Sequence, residues 1–156
     1  MIKAVTLRTA AADDEEFLIR VYASTREEEL ALTPWDEAQR DAFVRMQFSA
    51  QQSHYKTHYP EAKQAVILLG GEPAGRIYLA RLENEIKILD ITIMPAQRNL
   101  GVGTSILRDL MAEAAAAQKP LRIYVESYNP SGRLFERLGF VKTGESGYSD
   151  LMEWRH

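Results

Sequence analysis

The sequence predicts an α+β fold in three layers, α/β/α, around a mixed, mostly antiparallel sheet of six to seven strands. Three observations carry that prediction. Apolar residues recur at helical spacing in some segments and alternate in others. The dipeptides Gly70-Gly71 and Glu83-Asn84 separate three consecutive strand-like runs, the mark of a hairpin meander. Two later helical segments each stand between strands, as the crossovers of parallel pairing must. A meander plus crossovers gives a mixed sheet with helices on both faces.

The elements follow in order. Ile2 to Arg8 alternates as a first strand. Asp13 or Asp14 can cap the next helix, and Glu15 and Glu16 suit its positive first turn. Phe17, Leu18, Val21 and Tyr22 form its apolar stripe, and the acidic run Glu27-Glu28-Glu29 reads as a solvated helix end. Thr33-Pro34-Trp35-Asp36 predicts a second helix, with Thr33 as cap and Pro34 at the first helical position. It runs to about Tyr59, with Phe43, Met46, Gln47 and Ala50 as its stripe and Val44, Phe48 and Tyr55 flanking.

Pro60 stops that helix. Gln64 to Leu69 and Gly75 to Leu82 are the next strands, and the β-branched run Ile86 to Ile93 is a third, closed by Pro95. Val102, Ile106, Leu107, Leu110 and Met111 then fall at three-and-four spacing in an alanine-rich helix that ends near Gln118. Leu121 to Glu126 alternates as a strand. A short helix opens at Asn129-Pro130 and closes at Gly139, and Phe140 to Lys142 and Tyr148 to Trp154 are the last strands. There are no internal repeats or linkers, so one domain is expected over residues 1–156.

Bulk composition narrows the function. At 156 residues, with 46% hydrophobic and 26% charged residues, the chain reads as an ordinary soluble domain with a full core. A net charge of −3 argues against a nucleic-acid partner. The absence of cysteine removes disulfides, thiolate metal sites and a cysteine nucleophile. No apolar run approaches about 18 residues, so no membrane span is expected. The start lacks the apolar core of a signal peptide, so a cytoplasmic location is expected.

The most informative stretch is Gln97-Arg98-Asn99-Leu100-Gly101-Val102-Gly103-Thr104, a strand-to-helix turn with two glycines. Glycine lets backbone amides approach a ligand closely, and the first amides of a helix lack internal partners at the positive end of its dipole. Together these favour a phosphate. The P-loop needs Gly-Lys-Ser/Thr, but Thr104 follows Gly103 directly; the dinucleotide fingerprint needs a third glycine where Ile106 stands. The stretch does match the (Arg/Gln)-x-x-Gly-x-(Gly/Ala) motif of the GNAT N-acetyltransferase superfamily, in which it grips coenzyme A pyrophosphate. Downstream, Asn129 and Leu134-Phe135-Glu136-Arg137-Leu138-Gly139-Phe140 match a second motif at the usual distance. On these two motifs the chain resembles the GNAT N-acetyltransferase superfamily over about residues 5 to 156.

The resemblance implies the GNAT acyl-CoA N-acyltransferase fold, with the strand ending at Ile93 splayed from Leu121–Glu126 so that pantetheine enters between them. It implies transfer of an acetyl group from acetyl-CoA to a primary amine of a small molecule or protein, by direct attack in a ternary complex. Ile91, Ile93 and Met94 on the splayed strand, Arg98, Asn99, Leu100, Gly101, Val102, Gly103 and Thr104 in the turn, and Asn129 and Phe135 downstream are then the cofactor contacts. An amide near Ile93 donates to the oxyanion. His54, Tyr55, His58 and Tyr59, on the second helix that helps wall the acceptor site, are the acceptor contacts. His54 and His58 share a face but lack the intervening Glu of the zinc motif and a third ligand, so no metal is expected.

An alkyl amine with pKa near ~10.4 is only about one part in 2,500 neutral at pH 7, so a base or a desolvating site must remove its proton. Some family members carry Glu at a place that falls near Lys87 here. Asp90 and Glu85 are the candidates in its stead, Asp90 because apolar neighbours would make its carboxylate more basic, with Glu126 a third. The family's general acid is a Tyr where this sequence has Phe135, which cannot donate a proton. Tyr128, Tyr124, Ser131 or water takes that role. The alternative is a catalytically weak or inactive acyl-CoA-binding or sensing domain. Homodimerisation, common in the family, is expected by resemblance.

Overall fold

The computed structural model of the chain describes residues 3–126 and 131–156. Among these, seven strands form one sheet in the order β1-β2-β3-β4-β5-β7-β6. The strands are β1 (Val5–Thr9), β2 (Lys63–Leu69), β3 (Glu72–Arg81), β4 (Ile86–Ile93), β5 (Leu121–Glu126), β6 (Val141–Ser146) and β7 (Ser149–Trp154). Every neighbouring pair is antiparallel except β4 and β5. The mixed, mostly antiparallel sheet expected from the sequence is what forms.

The helices are α1 (Glu15–Ser24), α2 (Glu27–Ala31), α3 (Glu37–His58), α4 (Val102–Ala117) and α5 (Gly132–Arg137). One core lies under α4. It joins Val102, Ile106, Leu107, Leu110 and Ala114 to Ile77, Leu79, Ile86, Ile88, Leu121, Ile123 and Val125 of the sheet. The second lies on the opposite face, where Leu18, Ile19, Tyr22, Leu30, Val44 and Phe48 cover Val66. Side chains alternate across a strand. Hence, with the phase of β4 shifted by its extra residue at Leu89, Arg76 and Tyr78 of β3, Lys87, Asp90 and Thr92 of β4, and Arg122, Tyr124 and Glu126 of β5 are on the α1–α3 face.

Two local expectations are corrected. Helix α3 starts at Glu37, not Pro34, and Asp36 is its cap. The Asp36 carboxylate accepts from the Gln39 amide at 2.8 Å and the Gln39 side chain accepts from the Asp36 amide at 2.9 Å. Thr33 instead closes the preceding turn, its hydroxyl donating to the Leu30 carbonyl at 2.7 Å. The buried stripe of α3 is Val44 and Phe48, continued by Tyr55, while Met46 stands 59% exposed. Aromatic and β-branched side chains, not the most numerous apolar positions, set which way the helix rolled.

Candidate active site

The site starts from an interruption in the sheet. β4 pairs with β5 only through Ile86–Leu121, Lys87–Arg122 and Ile88–Ile123. Its other edge stays paired with β3 as far as Ile93, with an irregularity at Leu89, which lies between the partners Ile88 and Asp90. A bulge adds a residue to one strand and bends it. Past Ile88, β4 therefore turns from β5 and leaves a notch between Leu89–Ile93 and Tyr124–Glu126. The carbonyl that the bulge frees at Leu89 accepts from the Tyr55 hydroxyl at 2.9 Å.

Donors line the β4 side of this notch. The Met94 amide donates to the Ala74 carbonyl of the neighbouring strand's edge at 2.7 Å. Met94, expected as a cofactor contact, thus has its amide committed to the sheet. Alternation turns the amides of Ile93 and Ile91 to the opposite edge, where no strand among the described residues pairs with them. Their side chains pack on the core under α4.

Beyond Ile93 the chain makes one turn and enters α4. Asn99 and Gly101 both take left-handed dihedrals, φ 64° and 79°. Nothing lies within 4 Å of where a Cβ on Gly101 would stand, and at Gly103 the nearest atom is Leu134 Cδ2 at 3.7 Å. The first amide of α4 with a helical acceptor is that of Ser105, which donates to the Gly101 carbonyl at 3.0 Å. The amides of Val102, Gly103 and Thr104 precede it and have no acceptor within the helix. Arg98, Asn99, Leu100 and Gly101 are at the surface, and Arg98 Nε donates to the Ile93 carbonyl at 3.1 Å, bracing the turn. The arrangement is a helix tip whose first amides could receive an anion, at the open mouth of the notch.

On the α1–α3 face the charged groups are sorted by their partners. Arg76, only 1% exposed, holds Asp90 at 2.7 Å, is bonded by Gln51 Oε1 at 2.6 Å and Gln64 Oε1 at 3.3 Å, and lies over the Phe48 ring. Thr92 Oγ1 sits 3.2 Å from both Asp90 oxygens. Asp90 is therefore the counter-ion of a buried guanidinium, not the isolated carboxylate among isoleucines that its sequence neighbours suggest. Glu85 precedes β4, some eight residues or about 26 Å of strand from Ile93, and faces Arg122 at 3.7 Å. It belongs to the paired end of β4, away from the notch. Glu126 ends β5 at the notch mouth, and among the described residues it forms no ion pair.

Helix α3 brings its C-terminal turns over this face. The Tyr55 ring meets Tyr78 edge-on at 4.9 Å, and burial, with the Asp90 charge second, pushes its phenol up to about 12. The Tyr59 hydroxyl accepts from Lys87 Nζ at 2.8 Å. His54 and His58 stack at 4.2 Å on the exposed side, where His58 Nδ1 lies 2.9 Å from the His54 carbonyl. Of the four expected acceptor contacts, the two tyrosines face the sheet and the two histidines face water. Among the described residues no cluster of His, Asp and Glu is arranged to hold a metal, and no helix is long and apolar enough to cross a membrane.

Phe135 is 2% exposed, in the core under α4 with its ring edge-on to Phe140 at 5.3 Å. The structure places it as packing rather than as a wall of the notch. Tyr128 and Asn129 lie outside the described residues. Arg76, Lys87 and Tyr124 are the members of the site that sequence reasoning gives no role or only a marginal one. The available signal is alternation, which puts all three on the face opposite the apolar core.

Known proteins share this fold. Residues 22–155 match the family model described as acetyltransferase (GNAT) domain. The fold is similar to that of PaiA N-acetyltransferase from Thermoplasma acidophilum, solved in complex with coenzyme A. The TM-score is 0.71 at 19% identity, over 98% of this chain and 99% of that one. It is similar to an acetyltransferase from Thermus thermophilus, with TM-score 0.69 at 18% identity over 100% of both chains. Ard1 from Thermoplasma volcanium is a further neighbour, with TM-score 0.59 at 20% identity over 96% of this chain and 95% of that one. No curated protein matches the chain.

Proposed function

The chain belongs to the acetyltransferase (GNAT) domain family, and from that premise we propose that it moves an acetyl group from acetyl-CoA to the primary amine of a small molecule or protein, both bound at once. The observation that carries this reading is the notch: β4 and β5 part after Ile88 and Ile123, and the gap leads to a helix tip whose first amides have no acceptor within the helix. Residues at both ends fit the co-substrate. The amides of Val102, Gly103 and Thr104 would hold its diphosphate, with the open space at Gly101 admitting the phosphates. The β4–β5 edge would take its extended arm. Acetyl-CoA supplies an activated acyl thioester there.

The chain's own residues supply the rest. The amides of Ile91 and Ile93, fixed by the β3 ladder behind them, are aimed to donate to a carbonyl oxygen in the notch, and pre-aimed donors are worth most where charge develops. Glu126 is the general base, directly or through one water, since Asp90 neutralises Arg76 and Glu85 sits at the wrong end of β4. Tyr55 and Tyr59 wall the acceptor side. Location in the cytoplasm and a homodimer are part of the same proposal.

The test is calorimetry with acetyl-CoA followed by a thiol-release assay across an amine panel. Micromolar binding and acceptor-dependent release are expected; no binding below millimolar concentration would remove the reading. One observation favours a second reading, a binding or sensing domain with little turnover. Phe135 buries an apolar ring where the resembled family has a phenol. Tight binding without acceptor-dependent release would select it.

A further inference from the structure

Beside the closed end of the notch, on the α1–α3 face, lies an open cleft of about 340 Å³ lined by Lys87, Tyr124, Arg122, Glu85 and Glu153 among others. Its charges are nearly all matched. Glu85 and Glu153 lie 3.7 and 3.6 Å from Arg122, and Glu153 is also bonded by Arg155. Behind α3, Asp90 is matched by Arg76. Lys87 is the cation left over, and among the described residues it forms no ion pair.

The fold nevertheless fixes that ammonium in place. Lys87 Nζ donates to the Tyr59 hydroxyl and lies 5.2 Å from the Tyr59 ring and 4.9 Å from the Tyr124 ring. Two aromatic faces stabilise a partly withdrawn cation but leave its net charge uncancelled. Its backbone is one residue before the last β4–β5 pair, and Tyr124 is the first β5 residue past it. The ammonium thus marks the apex of the notch. Glu126, also without an ion pair among the described residues, lies on the same face at the mouth, four residues or about 13 Å of strand further along.

We propose that Lys87 receives an anionic group of the acceptor, so that the substrate class is an amine that also carries a carboxylate. This rests on the acetyl-transfer reading for the meaning of "acceptor", and extends it. A carboxylate at Lys87 gives that ammonium the ion pair it lacks among the described residues and directs the amine along the face toward Glu126. A diamine or polyamine would instead set a second cation against Lys87 in a half-buried site, where screening is weak.

The experiment measures binding of 6-aminohexanoate, hexylamine and 1,6-diaminohexane to the protein saturated with coenzyme A, by calorimetry, alongside thiol release with acetyl-CoA. The carboxylated amine should bind about tenfold or more tighter than hexylamine, as one charge-assisted contact gives, and the diamine most weakly. Lys87→Met should erase the preference and Lys87→Arg should keep it. A wild-type preference for hexylamine or the diamine, or a preference that survives Lys87→Met, overturns the proposal whatever the turnover. If the preference holds but no amine releases thiol, the carboxylate site stands and the transfer reading falls.

Discussion

The guanidinium of Arg76 and the carboxylate of Asp90 meet at 2.7 Å across β3 and β4, with Gln51 of α3 closing on the same guanidinium at 2.6 Å. A strand pair and a helix are locked by one buried charge, and a carboxylate in that position is structural. Asp90→Asn would strand the cation. It is expected to cost about 2–3 kcal/mol, the lower side of what breaking a buried pair costs because Asp90 is partly solvated. Urea midpoints measure it. An unchanged midpoint with collapsed kcat would return Asp90 to the role of base.

Glu126→Gln should behave in the opposite way. Its carboxylate has no ion-pair partner among the described residues, so stability should hold within about 0.5 kcal/mol. Loss of a general base lowers kcat by about 10²–10⁴-fold. Steady-state kinetics beside a melting curve separates the two carboxylates in one comparison.

Gly103→Ala distinguishes a phosphate cradle from an ordinary helix start. A Cβ there meets only Leu134, at an unstrained 3.7 Å, and alanine in place of glycine inside a helix gains up to about 1 kcal/mol. The variant should melt higher yet bind acetyl-CoA more weakly, since the methyl occupies the approach to the amides. A variant both more stable and equally tight would remove the helix tip from the site.

Tyr55 gives the alkaline behaviour. Its folded phenol is pushed up to about 12 by burial and then by Asp90, against about 10 unfolded. The folded state holds that proton more tightly, so its contribution is complete below about pH 10 and is lost as pH rises through about 12. Tyr55→Phe removes the bond to the Leu89 carbonyl, costing about 1 kcal/mol at neutral pH. It should also flatten the decline in stability between about pH 10 and pH 12, read from urea midpoints across that range.

Much of this architecture is legible in the chain. The strand ending at Ile93, the turn at Gly101 and Gly103 and the helix from Val102 stand where local pattern puts them, because each is specified by residues within one window. The start of α3 escapes that pattern because Pro34 satisfies the same first-turn rule as Glu37, and only the reciprocal Asp36–Gln39 bonds decide between them. The role of Asp90 escapes it because its partner is 14 positions away on another strand. The grouping of Lys87 with Tyr59 and Tyr124 depends on three separate elements meeting, which no single window encodes.

The parting of β4 from β5 also bears on how the molecule breathes. Two sheet halves, β1–β4 and β5–β7–β6, share a seam of only three described residue pairs. Such a seam makes the smaller half a natural cooperative unit for sub-global opening, with amides of β5, β6 and β7 exchanging with deuterium faster than those of β2 and β3. A molecule wedged along the seam would tie the halves together, so its binding should be readable as slowed exchange on the far side of the sheet.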